Sequence, residues 1–204
     1  MKELQSGLWW WEARHPEWSE QSGGWGPEVS SYAIDDGDRL ILFDPLAVPG
    51  GLEERAAGRE TAIVLTCPWH RRDAVSLAER FGWPIYAPPP DAPDPDPVPS
   101  EVYRAGDRLS VGVEARPGME PNDLVLWIES RGALVVGDTL IDRGQGIEFA
   151  RDWASAGAIA ARGVSPEQLL EGLQPLLDLP VELVLPTHGA PTDRAALERA
   201  LRAT

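Results

Sequence analysis

The sequence predicts an α/β fold in one domain spanning residues 1–204, on the strength of three observations. With 204 residues and 43% hydrophobic content, the chain is long enough to bury a substantial core. Apolar runs of strand length alternate with stretches of helical spacing. The order of these elements recurs in two halves, a repeat that is weak in identity but specific in order.

The first segment holds five of the nine tryptophans, Trp9, Trp10, Trp11, Trp18 and Trp25, among Gly and Pro residues that favour turns, and reads as an aromatic-rich hairpin. Val29 to Ile34 and Arg39 to Phe43 are strands joined at Asp36-Gly37, a strong two-strand turn signal, and the pair exits through Asp44-Pro45. A short helix around Leu52 to Ala57 leads to Thr61 to Leu65, an apolar run of the length expected for a strand buried on both faces. That strand stops at Thr66-Cys67-Pro68. From Arg72 to Phe81 apolar residues recur at helical spacing, and Gly82 can close the helix before a short strand, Pro84 to Tyr86. The stretch Ala87 to Ser100, largely proline and aspartate, reads as an extended surface loop.

The second half repeats the scheme. Leu124 to Glu129 and Ala133 to Val136 flank Ser130-Arg131-Gly132 and exit through Gly137-Asp138. A helix from Pro166 to Leu177 precedes the strand Val181 to Leu185, which ends at Pro186-Thr187-His188-Gly189. A repeat of this kind places Asp44, Thr66, Asp138 and Thr187 at strand ends along one edge of two packed sheets, where the sites of α/β folds gather.

Composition narrows the function. A formal charge of −15 repels phosphate backbones and anionic membrane surfaces, so the expected partner is a small molecule rather than nucleic acid or a membrane. Cys67 is the only cysteine, so no intramolecular disulfide forms. No apolar run approaches the roughly 20 residues of a bilayer span, and the start of the chain lacks a secretory pattern; a cytoplasmic location is the expectation. The oligomeric state stays open, a homo-oligomer included.

The exit at Asp44-Pro45, the strand ending Leu65-Thr66, Pro117-Gly118, Gly137-Asp138 and Pro186-Thr187-His188-Gly189 together resemble the metallo-β-lactamase superfamily over nearly the whole chain. The resemblance implies a four-layer αββα sandwich with its site at the shared edge and, in active members, a binuclear zinc or iron centre that activates water for hydrolysis. The family's first metal motif, Thr-His-x-His-x-Asp-His, falls on Thr66-Cys67-Pro68-Trp69-His70-Arg71-Arg72-Asp73. Read without gaps, Cys67 and Trp69 replace the first two histidines, Arg71 the aspartate and Arg72 the last histidine. A one-residue shift makes His70 the second histidine and leaves Asp73 beyond the acid position. The Pro-Gly-His turn of the family reads Pro117-Gly118-Met119, a thioether that is a poor ligand for borderline cations.

The resemblance therefore carries Asp138, at the bridging-aspartate position, and His188, at the last histidine, into the expected catalytic and metal-binding set, with His70 joining them under the shifted alignment. At most one divalent cation, zinc, iron or manganese, is expected, and an intact binuclear centre is not. His15, Cys67, Trp69, Arg72 and Met119 are the expected pocket lining, with Arg143 to Gly146 and Asp152-Trp153 as one wall. A hydrolase-like protein for small esters, thioesters or lactones is one reading. A metal-free ligand-binding or regulatory module, in which Arg72 or Arg71 pairs with Asp138, is the other. Thiol chemistry at Cys67, assisted by His70 or His188, is a third.

Overall fold

The computed structural model describes residues 1–21, 24–91, 99–156, 159 and 161–202. In the first half, β1 (Lys2–Gln5), β2 (Leu8–Arg14), β3 (Glu28–Asp35), β4 (Arg39–Phe43), β5 (Glu60–Val64), β6 (Ile85–Ala87) and β7 (Glu101–Val102) form one sheet in that spatial order. The second sheet holds β8 (Glu114–Glu120), β9 (Asp123–Ile128), β10 (Ala133–Val135), β13 (Leu183–Leu185) and β14 (Thr192–Asp193) in the order β14-β13-β10-β9-β8. The repeat is visible in the pairing: an antiparallel hairpin, β3–β4 or β9–β10, is followed by a parallel neighbour, β5 or β13.

Side-chain alternation builds the layers. From the first sheet Ile41, Phe43, Ala62 and Val64 point one way and meet Leu124, Leu126, Ile128, Val135 and Leu185 of the second, forming the core between the sheets. Their sequence neighbours Leu40, Leu42, Ile63 and Leu65 point outward, onto α1 (Gly50–Ala56) and α2 (Ala74–Phe81) through Leu52, Ala56, Ala74 and Leu77. On the far side Val125, Trp127, Leu134 and Val184 pack beneath α3 (Arg151–Ala154), α4 (Pro166–Leu173) and α5 (Arg194–Arg202) through Ala154, Leu170, Leu173, Leu197 and Leu201. The order helix, sheet, sheet, helix is the αββα sandwich. Both faces of β4, β5, β9 and β10 are covered, which is why these strands read as unbroken apolar runs.

Local signals account for many boundaries. The α4 helix starts at Ser165, whose hydroxyl accepts the Gln168 N–H while Gln168 reaches back to the Ser165 N–H, with Pro166 at the first helical position. It ends earlier than the spacing predicts, giving way to a 3-10 turn at Gln174–Asp178. The α2 helix begins at Ala74 rather than Arg72, because Arg72 has left-handed backbone, φ 37°. Gly82 closes it at φ 71°, as predicted.

Two readings are corrected, at Pro117-Gly118 and at Ala87. Pro117-Gly118 is no turn but part of β8, at a register irregularity between Pro117 and Glu120; β8 is an edge strand, where a residue without an N–H is tolerated. The Gly-rich Arg143 to Gly146 is the loop of a hairpin between β11 (Leu140–Asp142) and β12 (Ile147–Phe149), with Asp142 accepting the Gly144 and Gly146 N–H groups. Ala87, placed in a loop by its prolines, closes β6, and most of the loop expected beyond it lies outside the described residues.

Candidate functional site

The edge at which β4, β5, β10 and β13 end collects Asp44, Thr66, Asp138 and Thr187, all buried. Both β4 and β10 leave the sheet through left-handed backbone: Asp44 has φ 43°, and Gly137, directly before Asp138, has φ 52°. At Gly137 a Cβ would lie 2.4 Å from Asp123 Oδ1, so glycine is required twice over. The Asp44 carboxylate turns inward, accepting the Thr66 N–H at 2.9 Å and the Thr66 hydroxyl at 2.6 Å.

Past Thr66 the chain makes a tight turn, Cys67-Pro68-Trp69-His70, closed by the His70 N–H donating to the Cys67 carbonyl at 3.2 Å. Proline suits the second position of such a turn. Its first and last residues both bury their side chains, whereas Trp69 is 39% exposed. The structure thus buries His70 and Cys67 at the site, while the half-exposed Trp69 reaches it through its indole N–H. Asp73 lies away from the cluster, accepting the Ala47 N–H at 2.6 Å.

His70 is pinned between two carboxylates. Its Nδ1 lies 3.0 Å from Thr66 Oγ1 and 3.1 Å from Asp44 Oδ2, and its Nε2 is 3.1 Å from Asp138 Oδ1. The single proton of the Thr66 hydroxyl goes to Asp44, so Nδ1 must be the donor on that side. A neutral His70 then turns the lone pair of Nε2 toward Asp138. Burial works against charge on this ring, but Cys67, Asp138 and Asp44 raise its pKa well above the ordinary imidazole value.

Asp138 is the hub. Its Oδ2 accepts the Trp69 indole N–H at 2.7 Å, and its Oδ1 lies 3.1 Å from Nε2 of both His70 and His188. Oδ1 is buried and, apart from these two charge contacts, has no hydrogen-bond partner among the described residues. Against the opposing effect of burial, His70 and His188 hold this carboxyl well below its usual range. Burial pushes His188 down, and its ring lies edge-on to Trp25 at 5.0 Å and Trp153 at 6.2 Å.

Behind Asp138 stands Asp123, fully buried, accepting the Asp138 N–H at 3.2 Å and the Thr139 hydroxyl at 2.7 Å. Burial, followed by the charge of Asp138, pushes it up to about 7. Sequence reasoning missed Asp123, because an Asn-Asp pair before an apolar run reads as turn residues. Asp44 was legible as a strand exit, but its contact with His70 was not.

Arg72 is where an expectation fails. Its guanidinium donates to the carbonyl oxygens of Ser30 and Asp44, both at 2.7 Å, and of Thr187 at 3.4 Å, tying the two sheets together. The Arg72–Asp138 pair anticipated for a metal-free site is not formed, since the two terminal nitrogens of Arg72 face those carbonyls and Trp69 holds Asp138 Oδ2. Met119 is 3% exposed and packs in the core beneath the second sheet, its N–H donating to Thr139 at 2.8 Å, rather than lining the cavity at the site mouth. That cavity, about 300 Å³, does include His15, Trp69 and Arg72, with Leu46 and Arg71. Of the expected wall, Trp153 flanks His188, while Asp152 turns away to pair with Arg143 at 2.8 Å. Burial pushes the Cys67 thiol up, which disfavours an unassisted thiolate nucleophile.

A family model described as the metallo-beta-lactamase superfamily matches residues 47–188. No curated protein sequence matches the chain. Among solved structures, DIM-1 metallo-beta-lactamase exposed to ceftazidime is similar with a TM-score of 0.66 at 14% identity, over 98% of this chain and 93% of that one. TTHA1623 in a di-iron-bound form gives 0.60 at 27% identity, over 86% and 95%. ETHE1 from Myxococcus xanthus gives 0.62 at 21% identity, over 85% and 78%.

Proposed function

Because this chain belongs to the metallo-β-lactamase superfamily, we propose that it is a hydrolase that holds a single divalent cation between His70, Asp138 and His188 and acts on a small ester, thioester or lactone. The observation that carries this reading is the meeting of two imidazole Nε2 atoms, each 3.1 Å from one buried carboxylate oxygen that has no other partner among the described residues. Two imidazole nitrogens beside one carboxylate oxygen make a donor set of the kind that holds a divalent cation. The donors present therefore fit one cation. Support for one rather than two comes from Arg72 and Met119 standing where the family pattern, aligned with His70 as the second histidine, has ligands, with the Arg72 guanidinium already at the edge.

When bound, the cation would polarise the scissile carbonyl and ease ionisation of a water near neutral pH. The chain's own residues do the rest. Asp44 and Thr66 fix the His70 ring so that Nε2 faces Asp138, an outer carboxylate orienting a ligand histidine. The Trp69 indole holds Asp138 Oδ2 and leaves Oδ1 toward the histidines. Trp25 and Trp153 shield His188 from water. The cavity beside Trp69, His15 and Leu46 suits a small, partly apolar substrate.

The neighbour with bound di-iron makes metal chemistry the first to test, and the incomplete ligand set argues against β-lactams as substrate. One domain, residues 1–204, and a cytoplasmic location belong to the same proposal; among the described residues no helix is long and apolar enough to cross a membrane. The formal charge of −15 supports a small-molecule partner over nucleic acid.

The test is elemental mass spectrometry on protein purified without a histidine tag, beside Asp138→Ala and His188→Ala. One equivalent of zinc, iron or manganese, lost in both variants, is the expected result and directs a screen of esters, thioesters and lactones. Metal-free protein after incubation with each cation would leave the second reading, a ligand-binding module in which the His70 ring itself spans Asp44 and Asp138.

A further inference from the structure

The cation reading leaves one buried group at the site without a task. Cys67 Sγ, a ring nitrogen of His70 and a carboxylate oxygen of Asp138 all lie within 4.8 Å of one another, and all three residues are buried. Ligand atoms around a tetrahedral zinc lie about 3.3 to 3.6 Å apart, given bonds of roughly 2.0 to 2.3 Å. Closing the cluster onto a cation therefore takes side-chain adjustment, not backbone rearrangement.

We propose, resting on the single-cation reading, that Cys67 is a thiolate ligand of that cation in the place of the family's first histidine, and that it makes the site selective for zinc over iron and manganese. Two observations carry this independently. The Cys67-Pro68-Trp69-His70 turn delivers Sγ and the imidazole to the same point, and it does so because the chain folds back after three residues. Separately, Asp138 Oδ1 is buried, aimed into this cluster and unpartnered among the described residues, which marks the point as one that a positive species completes. The contact of Sγ with the Thr66 hydroxyl is weak, at 3.9 Å, and that hydroxyl already serves Asp44 at 2.6 Å.

Binding involves no redox change. The Cys67 S–H bond breaks, its proton leaves to solvent, and the sulfur electron pair forms the bond to the cation. A ligand set of sulfur, nitrogen and oxygen suits zinc, whereas iron(II) and manganese(II) gain less from a soft thiolate. With all-nitrogen and oxygen ligands this preference would be weaker, so the cysteine changes which metal the edge takes, not only how tightly.

The experiment is titration of chelator-stripped protein with cobalt(II), then competition between zinc and manganese, on wild type, Cys67→Ser and Cys67→Ala, with circular dichroism to confirm folding. The expected wild-type spectrum has a near-ultraviolet thiolate-to-cobalt charge-transfer band at one equivalent. Both variants should bind cobalt without that band, hold zinc about 100-fold more weakly, and lose most of the preference for zinc. One equivalent of cobalt in wild type with no such band, and unchanged zinc affinity in the variants, would overturn the ligand role while the single-cation reading stands. Failure of wild type to bind either metal would overturn both. The wild-type spectrum decides the point even if a variant fails to fold.

Discussion

The two halves of the molecule solve the same geometric problem differently. Each must turn the chain out of a buried hairpin strand so that an aspartate lies at the shared edge. In the first half the aspartate itself takes the left-handed conformation, Asp44 at φ 43°, and its carboxylate is spent on Thr66 and His70. In the second half Gly137 takes the bend at φ 52°, which leaves the next residue, Asp138, with its carboxylate facing both histidines. A one-residue difference in where the bend falls separates a supporting aspartate from a presenting one. The first half then adds a clamp at the shared edge, the Arg72 guanidinium on carbonyls of both halves.

That comparison breaks most decisively at the clamp. Arg72→Ala strips donors from buried carbonyls of both halves, and we expect a loss of about 3 kcal/mol in stability, against about 1 kcal/mol for His188→Ala. Urea denaturation of the two variants checks this; equal losses would mean that the edge is held by its apolar packing and not by the guanidinium. Gly137→Ala sharpens the second term. Its Cβ would meet Asp123 Oδ1 at 2.4 Å in left-handed backbone, and a loss of about 2 kcal/mol is expected. Thermal unfolding without change in midpoint would show that Asp123 yields and that the bend does not depend on glycine.

The smallest effect lies at the far end of β3, away from the site. Burial opposes charge on Asp35, but the Gly37 N–H and the Arg55 and Arg59 guanidinia hold its carboxyl below the usual range. A depressed folded-state value means a contribution that is complete above about pH 4 and fades as pH falls through it. Asp35→Asn should cost about 1 kcal/mol or less at pH 7, since Arg55 is partly exposed and screened, and the gap from wild type should shrink below pH 4. A gap that widens in acid would contradict the assignment.

Much of this fold is legible along the chain. The Asp36-Gly37 turn, the apolar run of β5 and the capped start of α4 each satisfy local rules, and each forms where those rules put it. The α5 helix and the β11–β12 hairpin escaped notice, the former because its small apolar face of Ala196, Leu197, Ala200 and Leu201 sits among charges, the latter because each strand has three residues. At the site, Asp138 and His188 were legible from the order of elements, whereas the choice between Trp69 and His70 was not. A loop residue's direction depends on the turn it enters, and that turn is settled by partners distant in sequence.

What the sequence by itself determined is the layering. Unbroken apolar runs in the central strands and helical spacing in α2 and α4 specify that both faces of those strands must be covered, and covering them yields two sheets between helices. What only the tertiary structure decided is the use of charged and polar groups at the edge. Arg72 finds Ser30 and Thr187, 42 and 115 residues away, and His70 meets Asp138 across the two halves. Apolar burial follows from periodicity because it is non-directional, whereas a hydrogen bond or a ligand set exists only once folding has fixed atoms from separate strands within a few ångströms of one another.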